Sequence, residues 1–218
     1  MSLTDRIRDE FAQFAAAPSY PCIGARSAVR RGDCRVEVYG PMDDEHSSRR
    51  LASDLATFAN RPAAADLRFV AFAAIFLEAA PETELEFERR LWHQLSSLSA
   101  HDANRSATNS RSADPADPDY AFSLNGTPYF VIGLHPESVR QARRLPWPAL
   151  VFNPHSQFDR LRADGIFEPM RRTIRSRDLA LQGDLNPNLA DVGEESEARQ
   201  YSGRAVEKAW RCPFHPSK

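Results

Sequence analysis

The chain has 218 residues, a length that suits one domain with room for appended segments. Its net charge of −2 leaves no basic surplus, so nucleic-acid binding is not expected. No apolar run reaches the ~18 residues of a membrane span, and the charged, amphipathic start MSLTDRIRDEF does not read as a secretory signal, which points to the cytoplasm and reduced thiols.

In chain order, residues Leu3 to Ala16 read as a helix, with Leu3, Ile7, Phe11 and Phe14 at helical spacing and Ser2 or Thr4 as cap. Pro18 and Pro21 stop it. PCIGARSAV leads into CRVEVYG, whose alternation predicts a strand ending at Gly40. His46 to Asn60 reads as a helix with Leu51, Leu55 and Phe58 on one face, stopped by Arg61-Pro62. LRFVAFAAIF is apolar on both faces, as a central strand is, and Glu82 to Ser99 is a long helix expected to turn Leu85, Leu91, Trp92 and Leu95 inward. Residues 99–118 hold no apolar side chain larger than alanine and read as a surface loop able to act as a lid.

Next comes a hairpin signal: YAFSL, the Asn125-Gly126 turn, then TPYFVIGL. A short helix is expected from Pro136, then a buried strand ALVFNP, a helix SQFDRLRADG and a helix from Phe167 to Gln182. After Gly183 the chain becomes irregular and polar, with one further helical turn before WRCPFHP. Clustered strands with helices before, between and after them predict an α+β fold, a mainly antiparallel central sheet covered by helices in a single domain spanning 1–218. Neither G-x-G-x-x-G nor a phosphate-binding G-x-x-x-x-G-K-[ST] is present, which argues against a doubly wound nucleotide fold.

Chemistry-bearing residues concentrate in the second half. His135 stands where TPYFVIGL ends, Pro136 suits a first helical position, and Arg140, Arg143 and Arg144 follow. On spacing alone, a capping histidine with arginines in surface ion pairs is the simpler reading. The functional one is an iron ligand with arginines for acidic cofactor groups. His155 in FNPHSQF also follows a buried strand, and adjacent strands would bring it close to His135. Cys212 in WRCPF suits a haem thiolate or plain packing, and His215 is a weaker candidate. Cys22 and Cys34 show no ligand spacing, and no C-x-x-C pair exists. Glu194, Glu195 and Glu197 could hold a cationic substrate or supply favourable charge at a helix start.

Several stretches resemble the YqcI/YcgG family: YPCIGARSA, GLHPESVRQARRLPWPALVFNPHSQFDRLR, MRRTIRSRDLALQGDLNPNLADVGEESEARQYSGR and WRCPF. The resemblance covers most of the chain and is dense from Thr127 onward. Where the family pattern has NPM this chain has Asn186-Pro187-Asn188, and where it has SSR this chain has Ser138-Val139-Arg140. The family includes haem-dependent enzymes that hydroxylate nitrogen. The resemblance therefore implies a haem b cofactor with His135 as leading iron ligand, and His155 and Cys212 as rivals. It implies Arg140, Arg143 and Arg144 at the propionates, and O2 or peroxide as co-substrate. His155, Glu194 and Glu197 become candidate catalytic residues, acting on a small cationic amine or guanidino substrate. An external electron donor is required, no membrane or nucleic-acid partner is implied, and a homodimer is compatible. The alternative is a non-catalytic haem sensor or carrier.

Overall fold

The computed structural model of the protein describes residues 1–60, 69–81, 83–102, 111–189 and 194–214. The first helix, α1 (Leu3–Ala16), is closed by a reciprocal cap: the Ser2 hydroxyl accepts from the Asp5 N–H at 3.1 Å, and the Asp5 carboxylate accepts from the Ser2 N–H at 3.0 Å. It buries Ile7, Phe11 and Ala15, whereas Leu3 is exposed. A second helix, α2 (Ile23–Arg31), occupies the stretch expected only to lead into a strand. The Cys22 thiol accepts from the Ala25 N–H at its start, and Gly32 ends it in the left-handed region at φ 75°. Then follow β1 (Cys34–Tyr39), α3 (Glu45–Ala59) capped by Asp44, and β2 (Ala71–Phe76), of which every residue is buried. The start of the expected LRFVAFAAIF strand, Leu67 and Arg68, lies outside the described residues.

Helix α4 (Glu84–Ala100) starts at the Thr83 cap and buries Phe87, Leu91, Trp92, Leu95 and Leu98. Leu85, expected to face inward, is 62% exposed: it lies off the stripe that Phe87, Leu91, Leu95 and Leu98 define at spacings of three and four. Strands β3 (Phe122–Leu124) and β4 (Thr127–Leu134) form the hairpin, with Asn125 and Gly126 at φ 51° and 73°, as a tight turn between twisted strands needs. Strand β5 (Ala149–Pro154) runs straight into α5 (His155–Ala163), followed by α6 (Phe167–Gln182) and the short α7 (Ala198–Tyr201).

The sheet order is β1-β2-β5-β4-β3. It is mixed, not uniformly antiparallel: β1 and β2 pair in parallel, while β2–β5, β5–β4 and β4–β3 are antiparallel. The parallel pair follows from the connection, since α3 carries the chain back over the sheet between β1 and β2. The alternating side chains feed two cores. Phe72, Ala74, Phe76, Tyr129, Val131, Leu150 and Phe152 pack with α3, α4 and α7, and Val38, Ala73, Ile75, Leu134 and Ala149 pack with α1.

No helix forms at Pro136. The segment holds one 3₁₀ turn, Gln141–Arg143, and Pro146 and Pro148 follow so closely that a full helix has no length to develop. Of the lid-like loop, Ser99 and Ala100 belong to α4 and residues 103–110 lie outside the described set. Its far side is tied down by Arg111, which reaches Asp119 at 2.6 Å and Asp159 at 3.0 Å.

Candidate functional site

His135 follows the last residue of β4 on the side that faces α4. It is fully buried, and its ring stacks on Phe87 at 4.2 Å between centroids and 23° between planes. Its backbone N–H donates to the Arg143 carbonyl at 3.0 Å. Among the described residues neither ring nitrogen has a hydrogen-bond partner. Burial, aided by the charge of Arg143, pushes its pKa down to about 4. The imidazole is therefore neutral, with a free lone pair, which is the form that ligates a metal. A buried polar group without a partner calls for an explanation, and a ligand is one.

The stack requires Gly133. A Cβ there would sit 2.5 Å from Phe87 Cε1 and 2.9 Å from Leu91 Cδ1, so α4 packs against bare backbone. Gly133→Ala is expected to cost roughly 2 kcal/mol by overpacking and to displace Phe87 from His135. Chemical denaturation with the near-UV circular dichroism of the aromatic core checks both, and an unchanged midpoint would refute the close approach.

The three arginines do not share a helix face. Arg140 pairs with Asp184 and, at 2.6 Å, with Asp178. Arg143 donates to the carbonyls of Gly133 at 3.2 Å, Tyr201 at 3.0 Å and Gln200 at 2.9 Å. Arg144 donates to the Ser138 carbonyl at 2.6 Å. The first two are staples, Arg140 for the end of α6 and Arg143 for the segment 200–201 laid along β4.

His155 is the first residue of α5 and is 6% exposed. Its Nε2 lies 3.1 Å from the Glu197 carboxylate. The Tyr201 hydroxyl has two acceptors, this carboxylate at 2.6 Å and the Tyr129 carbonyl at 3.2 Å, and itself accepts from the Phe122 N–H at 3.1 Å. Glu197 and Tyr201 stand four residues apart around α7, so one helical turn presents both. Nδ1 of His155 has no partner among the described residues.

The two histidines do not meet. Strands β4 and β5 are indeed neighbours, but they are antiparallel, with Tyr129 opposite Pro154 and Leu134 opposite Ala149. Histidines that each follow a strand end therefore sit at opposite ends of this strand pair, roughly 20 Å apart at ~3.4 Å per residue. Nor do the glutamates form one cluster: Glu197 points inward, while Glu194 and Glu195 are exposed and Glu195 pairs with Arg199 at 3.0 Å. Cys212 packs against the aromatic core around Trp92, and burial pushes its thiol up to about 12, a protonated state suited to packing. His215 lies outside the described residues. An open groove of about 280 Å³ between α3, His101 and Asn125 contains neither buried histidine.

Sequence reasoning missed Tyr201, Phe87 and the buried pair Glu88–Arg204. The spacing in EARQY could have flagged Tyr201 as a partner of Glu197; nothing local marks the others.

No solved structure matches the chain. Among curated proteins it is 29% identical over 208 residues to "Uncharacterized protein YcgG" of Bacillus subtilis (strain 168), an alignment covering 91% of this chain and 81% of that protein. The model of the YqcI/YcgG family matches residues 11–215, which takes in both buried histidines, α7 and Cys212, and the chain belongs to that family.

Proposed function

We propose that the protein is a haem-dependent oxygenase that hydroxylates a nitrogen of a small amine or guanidino compound. The observation that carries this reading is His135: a fully buried, neutral imidazole with both ring nitrogens unpartnered among the described residues.

The donor set suits haem in part. Among the described residues no three His, Cys, Asp or Glu side chains converge to hold a bare metal ion; iron held in a macrocycle asks the protein for an axial ligand only. His135 would meet that need, with Phe87 fixing the ring plane. His155 is less suited. Its Nε2 is engaged by Glu197, and the remaining Nδ1 adjoins its own Cβ, where a planar macrocycle would crowd the backbone. Arg140 and Arg143 are committed to internal acceptors, so the propionates would need other partners. When bound, haem supplies iron–oxygen chemistry with O2 or peroxide, and electrons come from an external donor. The chain's share is to ligate through His135, to exclude water and to manage the proton on the substrate nitrogen.

The ferrous–CO spectrum of the purified protein, produced with haem supplementation, tests the reading. The expected result is an imidazole-type Soret band that His135→Ala abolishes and His155→Ala and Cys212→Ala retain. No Soret band, or its loss only in Cys212→Ala, would overturn the assignment. Amine- or guanidine-dependent O2 consumption separates an oxygenase from a haem carrier.

A further inference from the structure

We infer that Arg26, Arg30 and Arg177 form a binding site for a phosphate dianion, free or as the ester of a small molecule, where the end of α1 meets α2 and α6. The site stands apart from the haem reading and from His135.

Arg26 and Arg30 lie four residues apart on α2, so they share one face of that helix. Arg177 comes from α6, which packs on α2. Two of the three are fixed on one stretch of backbone. Arg30 donates from Nη2 to the carbonyl of Ala16, the last residue of α1, at 3.3 Å. Arg177 donates from Nη2 to the carbonyl of Pro18 and, at 3.0 Å, to that of Tyr20. Arg26 is close enough to feel both: desolvation, and then the charges of Arg177 and Arg30, push its pKa down.

No acid on these helices is free to neutralise the group. Helix α2 has none. The two acids of α6 are engaged elsewhere, Glu168 by Arg171 at 2.7 Å and Asp178 by Arg140 at 2.6 Å. Asp33, just past α2, pairs with Arg31 at 3.2 Å, and the acids of α1 stop at Glu10, more than a turn before Ala16. Arginines that satisfy carbonyls at a helix end are a common structural device, and Arg30 and Arg177 serve it. The end of a helix dipole, however, offers only about half an elementary charge, and Arg26 reaches no carbonyl. Its side chain has neither hydrogen bond nor ion pair among the described residues. Its Nε and that of Arg177 are shielded from solvent, so both stems are packed in place. The unspent donors are both Nη groups of Arg26 and Nη1 of Arg30 and of Arg177. Three like charges held together repel until an anion comes between them. A phosphate brings up to two negative charges and several acceptor oxygens, which guanidinium forks fit well. A carboxylate would leave two of the three charges unmet.

The test titrates the full-length protein, ¹⁵N-labelled on arginine, with inorganic phosphate against sodium chloride of equal ionic strength, and follows the Nε–H signals. Those of Arg26 and Arg177 should shift saturably with phosphate and stay in place with chloride. Arg26→Gln should weaken binding about tenfold, the loss of one charge-assisted contact. It should not lower the urea midpoint, because Arg26 holds no other part of the fold. Arg172→Gln removes an exposed arginine of α6 on a different face and should bind as the wild type does. Acetate should bind about tenfold more weakly than phosphate. Phenyl phosphate separates the two sources: binding as tight as phosphate assigns the site to an ester, and its exclusion assigns the site to the free ion. Shifts that follow ionic strength alone, an unchanged affinity in Arg26→Gln, or acetate equal to phosphate would each overturn the site.

Discussion

Arg204→Ala is expected to destabilise the protein by about 3–5 kcal/mol, the cost of leaving a buried charge without its counter-ion. Glu88 lies on the inner face of α4 and is 3% exposed. Arg204 meets it with two nitrogens, Nε and Nη2, each at 2.9 Å, and the Ser202 hydroxyl donates to its other oxygen at 3.2 Å. Such a pair need add little to stability as a whole, because both ions were taken from water to make it. Removing one partner is a different matter, since Ser202 alone cannot satisfy a buried carboxylate. The double change Glu88→Gln with Arg204→Ala should recover much of the loss, because no charge is then stranded. Urea midpoints of the wild type, the two single variants and the double variant give the coupling. A loss below about 1 kcal/mol for Arg204→Ala would show that water reaches Glu88 and that the pair behaves as a surface contact.

The consequence reaches the contact between His155, Glu197 and Tyr201. The segment from Ser196 to Val206 carries Glu197 and Tyr201, and long-range bonds pin it near its end. Arg143 binds the carbonyls of Gln200 and Tyr201, Arg204 binds Glu88, and Asn188 both donates to the Arg204 carbonyl and accepts from the Val206 N–H at 3.0 Å. An irregular stretch holds a precise side-chain geometry here because Arg143 and Asn188 grip its backbone and Glu88 of α4 holds its Ser202 and Arg204 side chains. Loss of Arg204 should therefore also loosen the hold of Glu197 on His155.

Local signals made much of this fold readable. Helices α1 and α6 begin and end where periodicity, the Ser2 cap and Gly183 place them, and Asn125-Gly126 marks the hairpin. Helix α2 was not legible. IGARSAVRR is short, its apolar residues are small or β-branched, and a cysteine rather than an oxygen side chain caps it. The parallel β1–β2 pairing is a matter of strand order, which no local pattern encodes. The same limit governs the site. His135 and His155 stand out at strand ends, but their separation depends on the antiparallel register of β4 and β5. The arginines after His135 show a failure of another kind. Helical spacing implied one or two adjacent helix faces, whereas a nine-residue stretch between Pro136 and Pro146 closes into one 3₁₀ turn and sends each guanidinium to a different acceptor.

The stability of the haem-free protein is expected to fall by about 3 kcal/mol between pH 6.5 and pH 4 through His135 alone. An unfolded histidine takes up a proton near pH 6.5, whereas burial and Arg143 hold the folded one down to about 4. Between those values the unfolded chain binds a proton that the folded chain refuses, so acid draws the equilibrium toward unfolding. The contribution is complete above about 6.5, is lost at roughly 1.4 kcal/mol per pH unit below it, and levels off under about 4. His135→Phe keeps an aromatic ring for Phe87 to stack on and removes the titration. Urea midpoints from pH 7 to 4 should thus fall less steeply in the variant, by close to one proton's worth. Parallel slopes would mean that His135 is solvated or protonated in the native state, which would also remove the ground for its ligating iron. If haem binds through His135, protonation must compete with ligation, and the acid transition of the loaded protein should lie lower than that of the haem-free one. The two titrations together join the energetics of a buried imidazole to the cofactor that would explain its burial.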